Sequence, residues 1–167
     1  MLNALAVVPM FECMTPGISS PASGGGRHVL VVEDQAVARE VLAALAASVL
    51  EGAEVHVAND LEAGLAAASR TAMDVVLLDL GLPGCEGIES LLRFRQAFPR
   101  ARLVVVSSND DEDLVAEALD AGASSYLLKG EKAAVIAAVL RRVADEVASA
   151  PYAAASPSAD TSLGDEL

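Results

Sequence analysis

Residues 74–89 read DVVLLDLGLPGCEGIE. Val75, Val76, Leu77 and Leu78 leave no polar face, so this run predicts a strand buried on both sides. Asp79 closes the run, and Gly81-Leu82-Pro83-Gly84 follows with turn chemistry. A doubly buried strand needs parallel neighbours and helical cover. Working outward, four more runs read as strands: residues 28–33 (HVLVVE), 53–58 (AEVHVA), 102–107 (RLVVVS) and 124–128 (SSYLL). Helical patterns lie between and after them. Val37, Val41, Leu45 and Val49 recur every four residues, and residues 60–69 are Ala-rich. Ile88, Leu91, Leu92 and Arg95 follow a helical period, with Phe94 and Phe98 beside it. Leu114, Val115, Ala118 and Leu119 form a stripe that Ala121-Gly122 should cap. Val135, Val139, Val143 and Val147 form the last. Five strand–helix alternations make a (βα)5 chain, and right-handed crossovers turn it into an open doubly wound α/β sheet with helices on both faces.

Composition agrees. A chain of 167 residues, 53% apolar but only 3% aromatic, supplies one domain with a core of small aliphatic side chains. A formal net charge of −13 repels phosphate backbones, which argues against nucleic-acid binding by this chain alone. That acidity also fits a cation site, although a solvated acidic surface is its commoner cause, and composition does not separate the two. Cys13 and Cys85 form neither a CxxC motif nor a disulfide framework, as suits a reducing cytoplasm. Residues 1–14 lack a basic start and are interrupted by Pro9 and Glu12, so no signal peptide is expected. No uncharged run approaches a membrane span, so no membrane association is expected. Three zones result: a flexible leader (1–26) ending in Ser23-Gly24-Gly25-Gly26, the folded domain (27–148), and an Ala/Ser/Pro-rich acidic tail (149–167) expected to be disordered.

Ligands of open α/β sheets bind at the carboxyl ends of the strands. Here those ends carry Glu33-Asp34, Asp79, Ser107-Ser108 and Lys129. Three carboxylates converging on one edge repel one another and call for a cation. Oxygen donors without His or Cys select a hard ion such as Mg²⁺. A carboxylate beside such an ion can attack phosphorus, while a lysine and a hydroxyl hold the phosphoryl oxygens. Taken singly, these residues have blander readings: a helix cap at Glu33-Asp34, a turn at Asp79, a solvated Lys129, a core Tyr126 and a backbone-bonded Ser107. Their coincidence on one sheet edge favours the site. His28, His56 and Cys85 read as structural residues.

The segments VLVVEDQ (29–35), DVVLLDLGLPGCEGIE (74–89), VVVSS (104–108) and AGASSYLLKG (121–130) are similar, in order and spacing, to the receiver domain of response regulators. The resemblance covers roughly 27–148. It implies a flavodoxin-like sheet of five parallel strands in the order 2-1-3-4-5. It implies Asp79 as phospho-acceptor, with Mg²⁺ held by the side chains of Asp34 and Asp79 and the carbonyl of Gly81, and with Glu33 acting mostly through a metal-bound water. Ser107 would be the switch hydroxyl, Tyr126 the switch aromatic and Lys129 the phosphate-binding lysine. The backbone amides of Leu80 and Ser108 would also face the phosphoryl group. The implied partners are a histidine kinase or phosphotransfer protein and an output protein the sequence does not name, with the chain a monomer or weak dimer. The chain would be no enzyme beyond promoting its own phosphorylation and dephosphorylation.

Many receivers place proline after the lysine. Gly130 stands there, which removes the usual reason for a cis bond. The pattern resembles most the receivers of LuxR-type DNA-binding regulators, yet no helix-turn-helix pattern follows before Leu167. This reads as a single-domain regulator or as part of a longer one, and the acidic, proline-containing tail favours the former. Two other readings are a haloacid-dehalogenase-type phosphatase and a non-phosphorylated pseudo-receiver. The first requires a D-x-D motif after strand one, where Glu33-Asp34-Gln35 stands, and two residues beyond Asp79 stands Gly81 rather than a second Asp. The second is opposed by retention of the acidic set. A flavin-binding flavodoxin lacks its phosphate loop here.

Overall fold

A computed structural model describes residues 26–85 and 87–149. Most of the expected leader and tail, and Cys13 with them, lie outside these residues. The elements alternate as β1 (His28–Val32), α1 (Ala36–Val49), β2 (Glu54–Ala58), α2 (Leu61–Arg70), β3 (Val75–Asp79), α3 (Ile88–Ala97), β4 (Arg102–Ser107), α4 (Glu112–Asp120), β5 (Ser125–Leu128) and α5 (Ala133–Ser149). All neighbouring strands pair in parallel, in the order β2-β1-β3-β4-β5. The chain leaves β1 for β2 on one side and returns to β3 on the other. The loops after β1 and β3 therefore part, opening a crevice at that edge.

Alternate residues of the central strands feed two cores, because successive side chains of a strand point to opposite faces. Leu30, Val32, Val76, Leu78, Leu103 and Val105 pack with Leu61, Ala67, Leu91, Phe94 and Ala118 of α2, α3 and α4. Val29, Val31, Val75, Leu77, Val104 and Val106 pack with Leu42, Ala46, Ile136, Leu140 and Val143 of α1 and α5. Every residue of β3 is buried, as its apolar run predicts.

Strand and helix existence match the sequence reading; the packed faces differ. In α1 the buried residues are Leu42, Ala43 and Ala46, whereas Val37 and Val41 are 76% and 59% exposed. In α5, Ile136, Ala137, Leu140 and Ala144 are buried beside Val143, and Val135 lies outside. A four-residue step overshoots the 3.6-residue turn by about 40°. A strict four-residue stripe thus rolls off the sheet, and small alanines take the close positions.

Local punctuation sets the helix ends. Asp60 caps α2 by accepting the Ala63 N–H at 2.7 Å. Asp111 caps α4, accepting from Asp113 and Leu114. The predicted cap after α4 is a Schellman turn: Gly122, at φ 102°, donates to Leu119 O, and Ala123 donates to Ala118 O. Helix α1 starts after Gln35 with no side-chain cap, so Glu33 and Asp34 do not serve as caps. Gly64 permits the close approach of α2, since a Cβ there would stand 2.9 Å from both Phe94 Cζ and Val32 Cγ2. Among the described residues every peptide bond is trans, Lys129–Gly130 included.

Candidate functional site

Parallel pairing brings the ends of β1, β3, β4 and β5 to one edge. Glu33 follows β1 and is fully buried; its N–H donates to Ala58 O of β2 at 3.0 Å, extending the ladder by one residue. Asp79 ends β3 and is 3% exposed. Asp34, one residue beyond Glu33, is exposed. One carboxylate oxygen from each of Glu33, Asp34 and Asp79 lies within 4.8 Å of the others, so the cluster could hold a metal ion. The donors are oxygens only, which fits a hard divalent ion.

Lys129 is the counter-charge. Its Nζ donates to Asp79 Oδ2 at 2.8 Å and to Glu33 Oε1 at 3.1 Å, and stands 2.9 Å from Glu33 Oε2. That last oxygen is an ion-pair neighbour but receives no aligned hydrogen bond, and it is shut off from solvent. It is a buried acceptor with spare capacity, which supports cation binding on this side. The other Asp79 oxygen, Oδ1, accepts the Gly81 N–H at 2.9 Å. A Cβ at Gly81 would sit 3.4 Å from the same oxygen, so glycine keeps the open side of the carboxylate clear.

Burial pushes the Glu33 carboxyl above the usual carboxylate range, and the Asp79 charge adds to the rise; Lys129 and the Gln35 N–H pull it back only in part. For Lys129 burial is the largest influence and acts downward. Its hydrogen bonds and charge contacts with Asp79 and Glu33 together outweigh burial and hold it above the ordinary lysine value. The ammonium is therefore charged at neutral pH.

Ser107 ends β4 and is 5% exposed. Its Oγ accepts the Asn109 N–H at 3.1 Å, which leaves the hydroxyl proton free to be donated elsewhere. Tyr126 on β5 is half-buried, and its hydroxyl donates to Asn109 O at 2.7 Å. Both expected switch residues thus hold one backbone unit, that of Asn109. The sequence reading passed over Asn109, because its part is played by backbone atoms that any residue type carries. It also missed Arg39, whose Nη1 donates to Glu33 O at 2.8 Å and Asp34 O at 3.2 Å and pins the acidic turn. A basic residue just inside α1, after two acids, is the signal that could have found it. Lys129 N–H donates to Ser107 O at 2.8 Å, so the hydroxyl and ammonium positions are set by one strand pair. Beside Lys129 a groove opens, lined by Ser108, Asp110, Glu131 and Lys132. Cys85 is buried and free, as a structural thiol would be.

The family model described as response regulator receiver domain matches residues 29–141. The transcriptional activator protein ExaE of Pseudomonas putida is 35% identical over 115 residues, 69% of this chain and 54% of that protein. The KDP operon transcriptional regulatory protein KdpE of Escherichia coli (strain K12) is 39% identical over 120 residues, 69% of this chain and 52% of that protein. The chain spans about half the length of these curated relatives. Among solved structures, the receiver domain of NtrX from Brucella abortus superposes with a TM-score of 0.64 at 28% identity, covering 70% of this chain and 98% of that one.

Proposed function

The chain belongs to the response regulator receiver domain family, and from that membership we propose that it accepts a phosphoryl group on Asp79, with Mg²⁺, and so changes a protein-binding surface. The donor in this reading is a histidine kinase or a phosphotransfer protein. The observation that carries the proposal is the setting of Asp79: buried, at the end of β3, with Lys129 Nζ at 2.8 Å on one oxygen and the Gly81 N–H at 2.9 Å on the other.

An Asp79 oxygen attacks phosphorus; the O–P bond forms as the P–N bond to the donor imidazole breaks, and the electron pair returns to that ring. Lys129 then trades a carboxylate contact for a phosphoryl one. Glu33, Asp34, Asp79 and the Gly81 carbonyl would hold Mg²⁺, which when bound would offset the negative charge that the carboxylates and the incoming phosphoryl group bring together. Ser107 donates its free hydroxyl proton to the phosphoryl group. Because its Oγ also holds the Asn109 N–H, that movement draws on Asn109 and loosens the Tyr126 hydroxyl. The contact exists only with the phosphoryl group present, which is the differential interaction a population shift requires. The surface formed by α4, β5 and α5 would report the state to an output protein. In this reading the chain acts only on its own phosphorylation and dephosphorylation, in the cytoplasm; among the described residues no helix is long and apolar enough to cross a membrane.

The test is incubation with a small-molecule phosphodonor and Mg²⁺, read by intact mass. Wild type should gain one phosphoryl group, and Asp79→Asn or omission of Mg²⁺ should prevent it. A full phosphoryl gain in Asp79→Asn would refute the assignment.

A further inference from the structure

The opposite edge of the sheet carries a second cluster. His28 opens β1 and Glu54 opens β2, and the β1–β2 register sets them side by side. His56 lies two residues along β2, so it shares the face of Glu54. His28 Nδ1 is 3.3 Å from His56 Nε2 and 3.7 Å from Glu54 Oε2; His56 Nε2 is 3.4 Å from Glu54 Oε1. We infer that His28, Glu54 and His56 form a binding site for a transition-metal dication of the zinc class, at the amino-terminal edge of the sheet and separate from the carboxylate cluster.

The donor set and the spacing carry the assignment. Two imidazoles and one carboxylate suit borderline ions such as Zn²⁺, which the all-oxygen site at the other edge does not. Ligands bound at about 2.0–2.1 Å in tetrahedral geometry stand about 3.3–3.4 Å from one another. The separations of 3.3 and 3.4 Å match that value, and the third, 3.7 Å from His28 to the other Glu54 oxygen, exceeds it slightly, so a small rotation of the carboxylate would admit an ion. The donors are reachable, with side chains 30%, 23% and 57% exposed for His28, His56 and Glu54. They are also held on rigid strands rather than loops. The His28 N–H donates to Asp74 Oδ2 at 2.8 Å, and the Glu54 N–H donates to Arg27 O at 2.8 Å, which fixes both strand starts. Three protein ligands leave a fourth position for water or an exogenous group. A bound ion would clasp the edge strand β2 to β1 at its outer end. The rival arrangement is a plain hydrogen bond between the two rings with Glu54 alongside.

The experiment titrates the untagged full chain with Zn²⁺ in excess Mg²⁺, by calorimetry, and with Co²⁺ by visible absorption. One Zn²⁺ should bind per chain, and the thermal midpoint should rise by several degrees at saturation. His28→Ala and His56→Ala should each weaken binding at least tenfold, and Glu54→Gln less, whereas Asp34→Ala and Asp79→Asn should leave it unchanged. The chain has only two histidines, so the ring resonances of wild type decide the matter even where a variant fails to fold. Both rings should shift on addition of Zn²⁺. Absence of saturable binding, binding lost in Asp34→Ala, or Zn²⁺ uptake that leaves both rings unmoved would each overturn the site.

Discussion

Lys129 lets two buried carboxylates stand side by side. Glu33 and Asp79 side chains are 1% and 3% exposed, against 18% for the lysine. Removing one partner of a buried ion pair costs about 3–5 kcal/mol, and the partial exposure of Lys129 places this pair toward the lower end. Lys129→Ala should therefore lower the unfolding free energy of the Mg²⁺-free protein by about 3 kcal/mol in urea titrations. The same ammonium opposes a second cation, so Mg²⁺ should bind more tightly in Lys129→Ala and restore part of the stability. Asp34→Ala should lose Mg²⁺ binding altogether; unchanged affinity there would remove Asp34 from the site. Ser107 is tested by beryllofluoride, which mimics the phosphoryl group. Ser107→Ala should still take it up at Asp79 yet fail to shift the amide resonances of residues 111–128. Wild-type shifts in that variant would show that another group relays the signal.

Among the elements, α2 and α4 mark the extremes of packing. Helix α2 rests on Gly64, where an added methyl would press on the rings and methyls of Phe94 and Val32, both fully or almost fully buried. Alanine gains about 1 kcal/mol of helix propensity, but overpacking a filled core costs typically 1–3 kcal/mol. Gly64→Ala should thus destabilise by about 1 kcal/mol, read as a lower urea midpoint; a raised midpoint would mean that the core yields more easily than its packing suggests. Helix α4 buries only Ala118, with Leu119 45% exposed. Its far end is braced by Arg95, whose guanidinium donates to Gly122 O, Ala101 O and Pro99 O. The start of α4, near Asn109, is the end joined to Ser107 and Tyr126. A helix held by few buried residues can shift at small cost. That suits the element through which the site would speak.

For the whole molecule, charge decides what it avoids. A net charge of −13 opposes association with a polyanion at any distance within the screening length. Mobility-shift assays at low salt should show no duplex binding, and sedimentation should show a monomer or weak dimer. Tight, salt-sensitive binding to a specific duplex would contradict the first expectation, and a stable larger assembly the second. The sequence by itself determined the strands, their parallel sheet and the edge where Glu33, Asp79, Ser107 and Lys129 meet. These follow from local apolar runs such as Val75 to Leu78 and from a connection rule that leaves few topologies. It did not determine the packed helix faces. Val37 and Val41 keep the helical period yet face solvent, because the face that is buried depends on where the helix axis lies over the sheet. Nor did it reveal that Lys129 bridges Glu33, 96 residues away, as well as Asp79. The approach of His28 to Glu54 and His56 is likewise set by the β1–β2 register, a property of the assembled sheet. Periodicity is a local preference, while contact distances are fixed only when separate elements pack and their registers lock.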